Sequence, residues 1–159
     1  MKKPNKVLID GDIIVYKAAF WAEVEGVDTL EDKVNYDINK WTPQGAKDVV
    51  VALSCSRKQN FRRDIWPNYK RNREDMHVPE YLSDVYNFVE DTFKTMRCKH
   101  IEADDLLGIY ASSGRAIAVT IDKDLRGVNG WHYNPNKEDE PSYITNKEAE
   151  TFFCQQWMS

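Results

Sequence analysis

Cysteine is scarce in this chain. Only Cys55, Cys98 and Cys154 occur in 159 residues, with no CxxC pair. An odd, scattered set builds neither a disulfide framework nor a zinc site. It points to a reducing compartment, the cytoplasm, or the host cytoplasm if a phage encodes the chain. Histidine is equally thin: His77, His100 and His132 stand far apart, so no imidazole-rich metal centre is expected. No apolar run approaches the length of a membrane span. The run that follows Lys2 and Lys3 meets two aspartates too soon to be the core of a signal peptide. No membrane partner is therefore expected. Positive charge is not in excess either, since the net charge is −4. That excludes a uniformly basic nucleic-acid binder and leaves the role to a local patch. Internal repeats, low-complexity tracts and long linkers are lacking too. Residues 1–159 read as one domain, large enough to bury a core without staples.

What is present alternates between strand and helix. Residues 6–9 form a short apolar run ending in Asp-Gly-Asp, a buried strand followed by a turn. Residues 13–21 carry apolar side chains at helical spacing, and Asp12 suits the cap of that helix. A polar helix is expected over 28–41, a loop at 42–45, and a second buried strand over 49–53 (Val-Val-Val-Ala-Leu). Pro79 opens a helix to about residue 94, with Leu82, Val85, Phe88, Val89 and Phe93 on one face. A short strand is expected over 98–101, a helix over 102–111 and a third strong strand over 116–121. Residues 131–133 and 142–144 read as edge strands around an acidic loop. Thr145-Asn146-Lys147-Glu148 is a capping box for the last helix. The pattern predicts a three-layer α/β domain with a mainly parallel sheet.

In such a sheet, sites form at the carboxyl ends of strands. Asp10 ends the first strand, and Asp122 and Asp124 end a later one. Glu102, Asp104 and Asp105 follow another and start a helix, with Glu102 and Asp105 on one helix face. Asp12, Asp104 or Asp122 alone also fits a helix cap, and Asp-Asp at a helix start suits the helix dipole. About six converging carboxylates, however, repel one another unless a cation sits among them. All-oxygen donors favour Mg²⁺ or Mn²⁺ over zinc or copper.

Residues 57–73 have the opposite character. Arg57, Lys58, Arg62, Arg63, Lys70, Arg71 and Arg73 stand against one acid, Asp64, with Phe61, Trp66 and Tyr69 interleaved. Cationic groups meet phosphates and aromatic faces stack on unpaired bases. A solvated charged face is the alternative reading of the same residues. A metal pair activates water and stabilises a leaving oxygen in phosphoryl displacement, and Lys70 is placed to neutralise charge on a phosphate.

Five segments in order carry a family resemblance. They are Val7-Leu8-Ile9-Asp10-Gly11-Asp12, Asn60-Phe61-Arg62-Arg63, Pro67-Asn68-Tyr69-Lys70-Arg71-Asn72-Arg73, Glu102-Ala103-Asp104-Asp105 and Thr120-Ile121-Asp122-Lys123-Asp124. Over about residues 6–126 the chain resembles the 5′-nuclease, or flap endonuclease, family, bacteriophage 5′→3′ exonucleases above all, with a PIN-like catalytic fold. The resemblance implies a metal-dependent nuclease acting on DNA with a single-stranded 5′ end or flap, or on RNA. It implies Asp10, Glu102, Asp104, Asp105, Asp122 and Asp124 as ligands of Mg²⁺ or Mn²⁺ at two sites. It implies Tyr69, Lys70 and Arg73 as catalytic residues. Arg57, Lys58, Phe61, Arg62, Arg63 and Arg71 become substrate contacts, in a basic helical arch over about 57–79 through which a 5′ end passes. Asp12 is not a usual ligand of the family and stays a helix cap.

Two departures matter. After the second strand the family carries an aspartate where Cys55 stands, and a neutral thiol weakens the second metal position. The family also continues into a GD-x-x-DN motif and a duplex-gripping helix–hairpin–helix region, whereas this chain stops at Trp157-Met158-Ser159. Three expectations follow from that: a truncated chain, one half of a split nuclease with a separate C-terminal subunit, or a minimal variant. A PIN-type ribonuclease and a non-catalytic nucleic-acid-binding subunit remain the competing readings.

Overall fold

The computed structural model of the protein describes residues 2–56, 59–70 and 77–158. Strand β1 (Lys6–Asp10) runs directly into helix α1 (Gly11–Glu25). The turn expected at Asp-Gly-Asp does not form, because Gly11 is already helical. Glycine serves close packing there: a Cβ on Gly11 would stand 2.5 Å from Val51 Cγ1 and 2.7 Å from the Ala52 carbonyl oxygen. We expect Gly11→Ala to cost about 1–3 kcal/mol by overpacking, read as a lower midpoint in urea with an unchanged slope.

Helix α2 (Leu30–Trp41) follows a 3₁₀ turn and leads to β2 (Asp48–Leu53). A short helix α3 (Phe61–Ile65) lies in the basic stretch. Helix α4 (Leu82–Thr92) starts three residues after Pro79, since 79–82 forms a turn closed by the Leu82 N–H on the Pro79 carbonyl at 3.2 Å. Then come β3 (Thr95–Arg97), α5 (Ala103–Ser112), β4 (Ile117–Val119), a 3₁₀ turn (Lys123–Gly127), β5 (Gly130–Tyr133), β6 (Ser142–Ile144) and α6 (Asn146–Met158). The capping box of α6 forms as read: Glu148 N donates to Thr145 Oγ1 at 3.2 Å and Thr145 N to Glu148 Oε2 at 3.4 Å.

The strand expected over 98–101 is instead a turn, and β3 lies just before it. His100 has a positive φ of 73°, which breaks an extended chain. Its carbonyl accepts from Phe61 N (2.8 Å), and that of Ile101 accepts from Cys55 N (3.1 Å), so these groups serve the loops above the sheet.

The sheet order is β3-β2-β1-β4-β5-β6. All pairs are parallel except β5–β6. Alternate residues of the central strands point to opposite layers. Val7, Ile9, Val51, Leu53, Ile117 and Val119 pack with α1, α2 and α4. Leu8, Val50, Ala52 and Ala118 pack with α5. Burial on both faces is why these strands are continuously apolar. The fold is the expected three-layer α/β arrangement around a mainly parallel sheet. Among the described residues, no helix is long and apolar enough to cross a membrane.

Candidate functional site

Strand β1 lies between β2 and β4, so the chain turns to opposite sides of β1 in building the sheet. The crevice beyond the carboxyl ends of β1 and β4 is where such sheets hold ligands. Asp10 closes β1 and is 3% exposed. Thr120, just past β4, donates from Oγ1 to Asp10 Oδ2 at 2.8 Å and accepts from Asp122 N at 3.1 Å. Asp122 Oδ1 in turn accepts from Asp124 N at 3.0 Å, so Asp122 caps the 3₁₀ turn that follows. From the other side, the start of α5 brings Glu102, Asp104 and Asp105.

The charges tell which acids share space. Burial pushes Asp10 up to about 8, helped by Asp104, Asp12 and Asp122 and opposed by the Thr120 hydroxyl. Burial pushes Asp104 up to about 6, helped by Asp122 and Glu102 and opposed by Lys70. Asp10, Asp12, Glu102, Asp104 and Asp122 thus form one repelling group. Asp105 differs: the Arg62 guanidinium grips it with two bonds, of 2.8 and 2.7 Å, and holds it below the usual carboxylate range. It also accepts from Glu102 N at 2.9 Å, fastening the first turn of α5. Asp124 is exposed.

The basic segment reaches into this group. Lys70 Nζ lies 3.0 and 3.2 Å from the two Glu102 oxygens, and Lys70 adopts a positive φ of 53°. Asn60 caps α3 by accepting from Arg62 N (3.0 Å) and donates from Nδ2 to Glu102 Oε1 (2.6 Å). Arg62 lies over the rings of Phe61 (4.6 Å) and Tyr69 (5.8 Å), and Lys70 over Tyr69 (5.2 Å). A cleft of about 590 Å³ opens beside these groups, lined among others by Tyr16, Phe20, Arg63, Tyr69, Lys70 and Glu102. Arg57, Lys58, Arg71 and Arg73 lie outside the described residues, as does the middle of the expected arch.

Asp12 is not the cap of α1. The N-cap position falls to Asp10, because the helix begins earlier than expected. The Asp12 carboxylate accepts instead from Ser54 and from Tyr86 OH. Asn60 and Thr120 belong to the site as well; uncharged, they carry no mark of it in the sequence, although both stand inside the segments that carry the resemblance. Ser54 and Tyr86 left no signal, being 42 and 74 residues from Asp12. Cys55 sits near Glu102, and burial with that negative charge pushes its thiol up, so it is neutral at physiological pH.

The donors are chemically those of a hard divalent cation: carboxylate oxygens, crowded and partly desolvated. They are not yet a closed ligand set. Among the described residues, no three His, Cys, Asp or Glu side chains stand in metal-ligating geometry.

Residues 5–149 match the family described as 5′-3′ exonuclease, N-terminal resolvase-like domain. A 5′-3′ exonuclease of Buchnera aphidicola (from Schizaphis graminum) is 25% identical over 150 residues, covering 78% of this chain and 48% of that protein. An exodeoxyribonuclease of Enterobacteria phage T3 is 27% identical over 150 residues, covering 77% and 48%. The chain thus spans about half the length of these curated relatives. Among solved structures, the T5 5′-exonuclease with bound zinc ions superposes with a TM-score of 0.56 at 16% identity, covering 87% of this chain and 58% of that one.

Proposed function

The chain belongs to the 5′-3′ exonuclease family, in its N-terminal resolvase-like domain, and from that premise we propose that it is a divalent-metal-dependent nuclease. It hydrolyses phosphodiester bonds of DNA at or near a single-stranded 5′ end or flap. The observation that carries this is the convergence of Asp10, Glu102, Asp104 and Asp122 on one crevice that Lys70 and Arg62 enter from the basic segment.

Asp10, Asp104, Asp122 and Glu102 would hold the cation, Mg²⁺ or Mn²⁺ by donor type. Such a cation supplies Lewis acidity and an activated water. Raised affinities of Asp10 and Asp104 for a proton express the same unmet need for positive charge. A second, weaker position falls to Asp105 and Asp124; Asp105 reaches it only by leaving Arg62, and Cys55 adds no negative charge there. Lys70 faces the scissile phosphate, Tyr69 and Arg63 line the path of the strand, and Phe61 lies against Arg62 beside it. By their charge, Arg57, Lys58, Arg71 and Arg73 serve as further phosphate contacts.

A 5′-labelled flap DNA incubated with the protein and Mn²⁺ is expected to release short 5′ products, none in EDTA. Absence of cleavage, even with the C-terminal half of a relative supplied, overturns the reading. Preferential cutting of single-stranded RNA replaces it with the ribonuclease reading.

A further inference from the structure

Three segments meet at one carboxylate that the proposed chemistry does not use, and a fourth, the start of α5, joins them through Ser54. Asp12, in the first turn of α1, accepts at Oδ1 from Ser54 N (3.2 Å) and from Tyr86 OH of α4 (3.1 Å). At Oδ2 it accepts from the Ser54 hydroxyl. Ser54 follows β2 immediately, and its Oγ also accepts from Ala103 N at 2.9 Å.

We propose that Asp12 is a positioning residue: acting through Ser54, it holds the start of α5, and with it Glu102 and Asp104, against Asp10. The link to cation binding rests on the metal-dependent reading above; the positioning itself does not.

The polarity of the chain of bonds is what makes it work. A carboxylate has no proton to give, so the single Ser54 hydroxyl proton must point to Asp12. That leaves an Oγ lone pair free for the Ala103 N–H. This N–H is the first of α5, one of the donors that a helix start leaves without an intrahelical partner. From just past β2, 49 residues away in sequence, Ser54 therefore satisfies the first N–H of α5, beside the capping box that Glu102 and Asp105 make at the same helix start. Ala103 is flanked by Glu102 and Asp104, so fixing its backbone fixes where both carboxylates emerge. Tyr86 contributes a third donor to Asp12 and ties the arrangement to α4. These bonds oppose the repulsion that Glu102, Asp104 and Asp10 exert on one another. An asparagine at position 12 keeps one acceptor oxygen where the carboxylate has two, so it cannot accept from Ser54 N, Ser54 Oγ and Tyr86 OH together, and the Ser54 hydroxyl loses its fixed direction.

The test uses Asp12→Asn, Ser54→Ala, Ser54→Thr and the Asp12→Asn/Ser54→Ala double variant, with two readouts. The first is amide exchange at Ala103 by NMR in cation-free protein; the second is Mn²⁺ affinity by titration without nucleic acid. Asp12→Asn and Ser54→Ala should each speed Ala103 exchange about tenfold or more relative to Leu107. Each should weaken Mn²⁺ binding on the order of tenfold, as loss of an outer-shell support does. Ser54→Thr, which keeps the hydroxyl, should restore both. The double variant should be no worse than the worse single one, because the two residues act as a unit. Unchanged Ala103 exchange in both single variants overturns the proposal, as does additive loss in the double. If Asp12→Asn does not fold, the Ser54 pair decides by presence or absence of threonine rescue. A parent protein that binds no Mn²⁺ sinks the metal reading, and Ala103 exchange then decides the positioning alone.

Discussion

Asparagine in place of Asp10 is expected to raise the melting temperature of the cation-free protein at pH 8 while abolishing cleavage. In the folded chain the Asp10 carboxyl titrates near 8, mainly because it is buried and secondly because Asp104, Asp12 and Asp122 surround it; unfolded, it titrates near 3.8. Between about pH 4 and 8 the folded state keeps a proton that the unfolded state has released. Stability therefore falls as pH rises through that window. The full loss, reached above pH 8, amounts to as much as about 6 kcal/mol. The amide of Asp10→Asn has no proton to lose in this range. The variant's profile should therefore be flatter, with a melting temperature higher on the order of ten degrees at pH 8. Mn²⁺ should remove the slope in the parent and do little to the variant. Melting curves from pH 5 to 8, with and without Mn²⁺, measure this. Parallel profiles for parent and variant would refute the assignment of Asp10 as the buried charge that a cation relieves.

Loss of Lys70 should separate turnover from cation binding. Its ammonium now sits on Glu102, with Tyr69 beneath it. In Lys70→Ala the charge proposed to face the phosphate disappears, and single-turnover cleavage should fall about 10²–10³-fold, the size seen when a preorganised electrostatic group is removed. Mn²⁺ affinity should hold or tighten, because the cation that competes for Glu102 is gone. Lys70→Arg should recover only part of the rate, since a planar guanidinium does not replace a compact point charge. Titration beside single-turnover kinetics distinguishes the effects. Equal losses in affinity and rate would make Lys70 a support of the carboxylates instead of a group facing substrate.

Much of the architecture was legible from local pattern. The apolar runs at 6–9, 49–53 and 116–121 announced buried strands because both sheet faces are covered, and Thr145 with Glu148 announced the last helix. Boundaries failed where tertiary packing decided them. Gly11 entered α1 instead of a turn because the helix must approach β2 closely. Residues 98–101 formed a turn because their carbonyls serve the backbone of Cys55 and Phe61.

The acids were visible in the same way, as carboxylates at predicted strand ends and a helix start. What each one does was not visible. Asp105 and Asp104 are neighbours in sequence, yet Arg62 holds the first below the usual carboxylate range while burial lifts the second to about 6. Asp12 looked like a cap and is the acceptor for Ser54 and Tyr86.

By itself the sequence determined the alternation of strand and helix, the apolar faces, and the presence of a basic aromatic segment alongside acid-bearing motifs. Those follow from periodicity and residue chemistry, which are local. Tertiary structure alone decided which acids crowd Asp10, which are neutralised by Arg62 or Lys70, and which serve as struts. Solvent exclusion and pairing depend on groups far apart in the chain, 32 residues for Lys70 and Glu102 and 110 for Thr120 and Asp10. The energy of a buried charge is set by such neighbours in space.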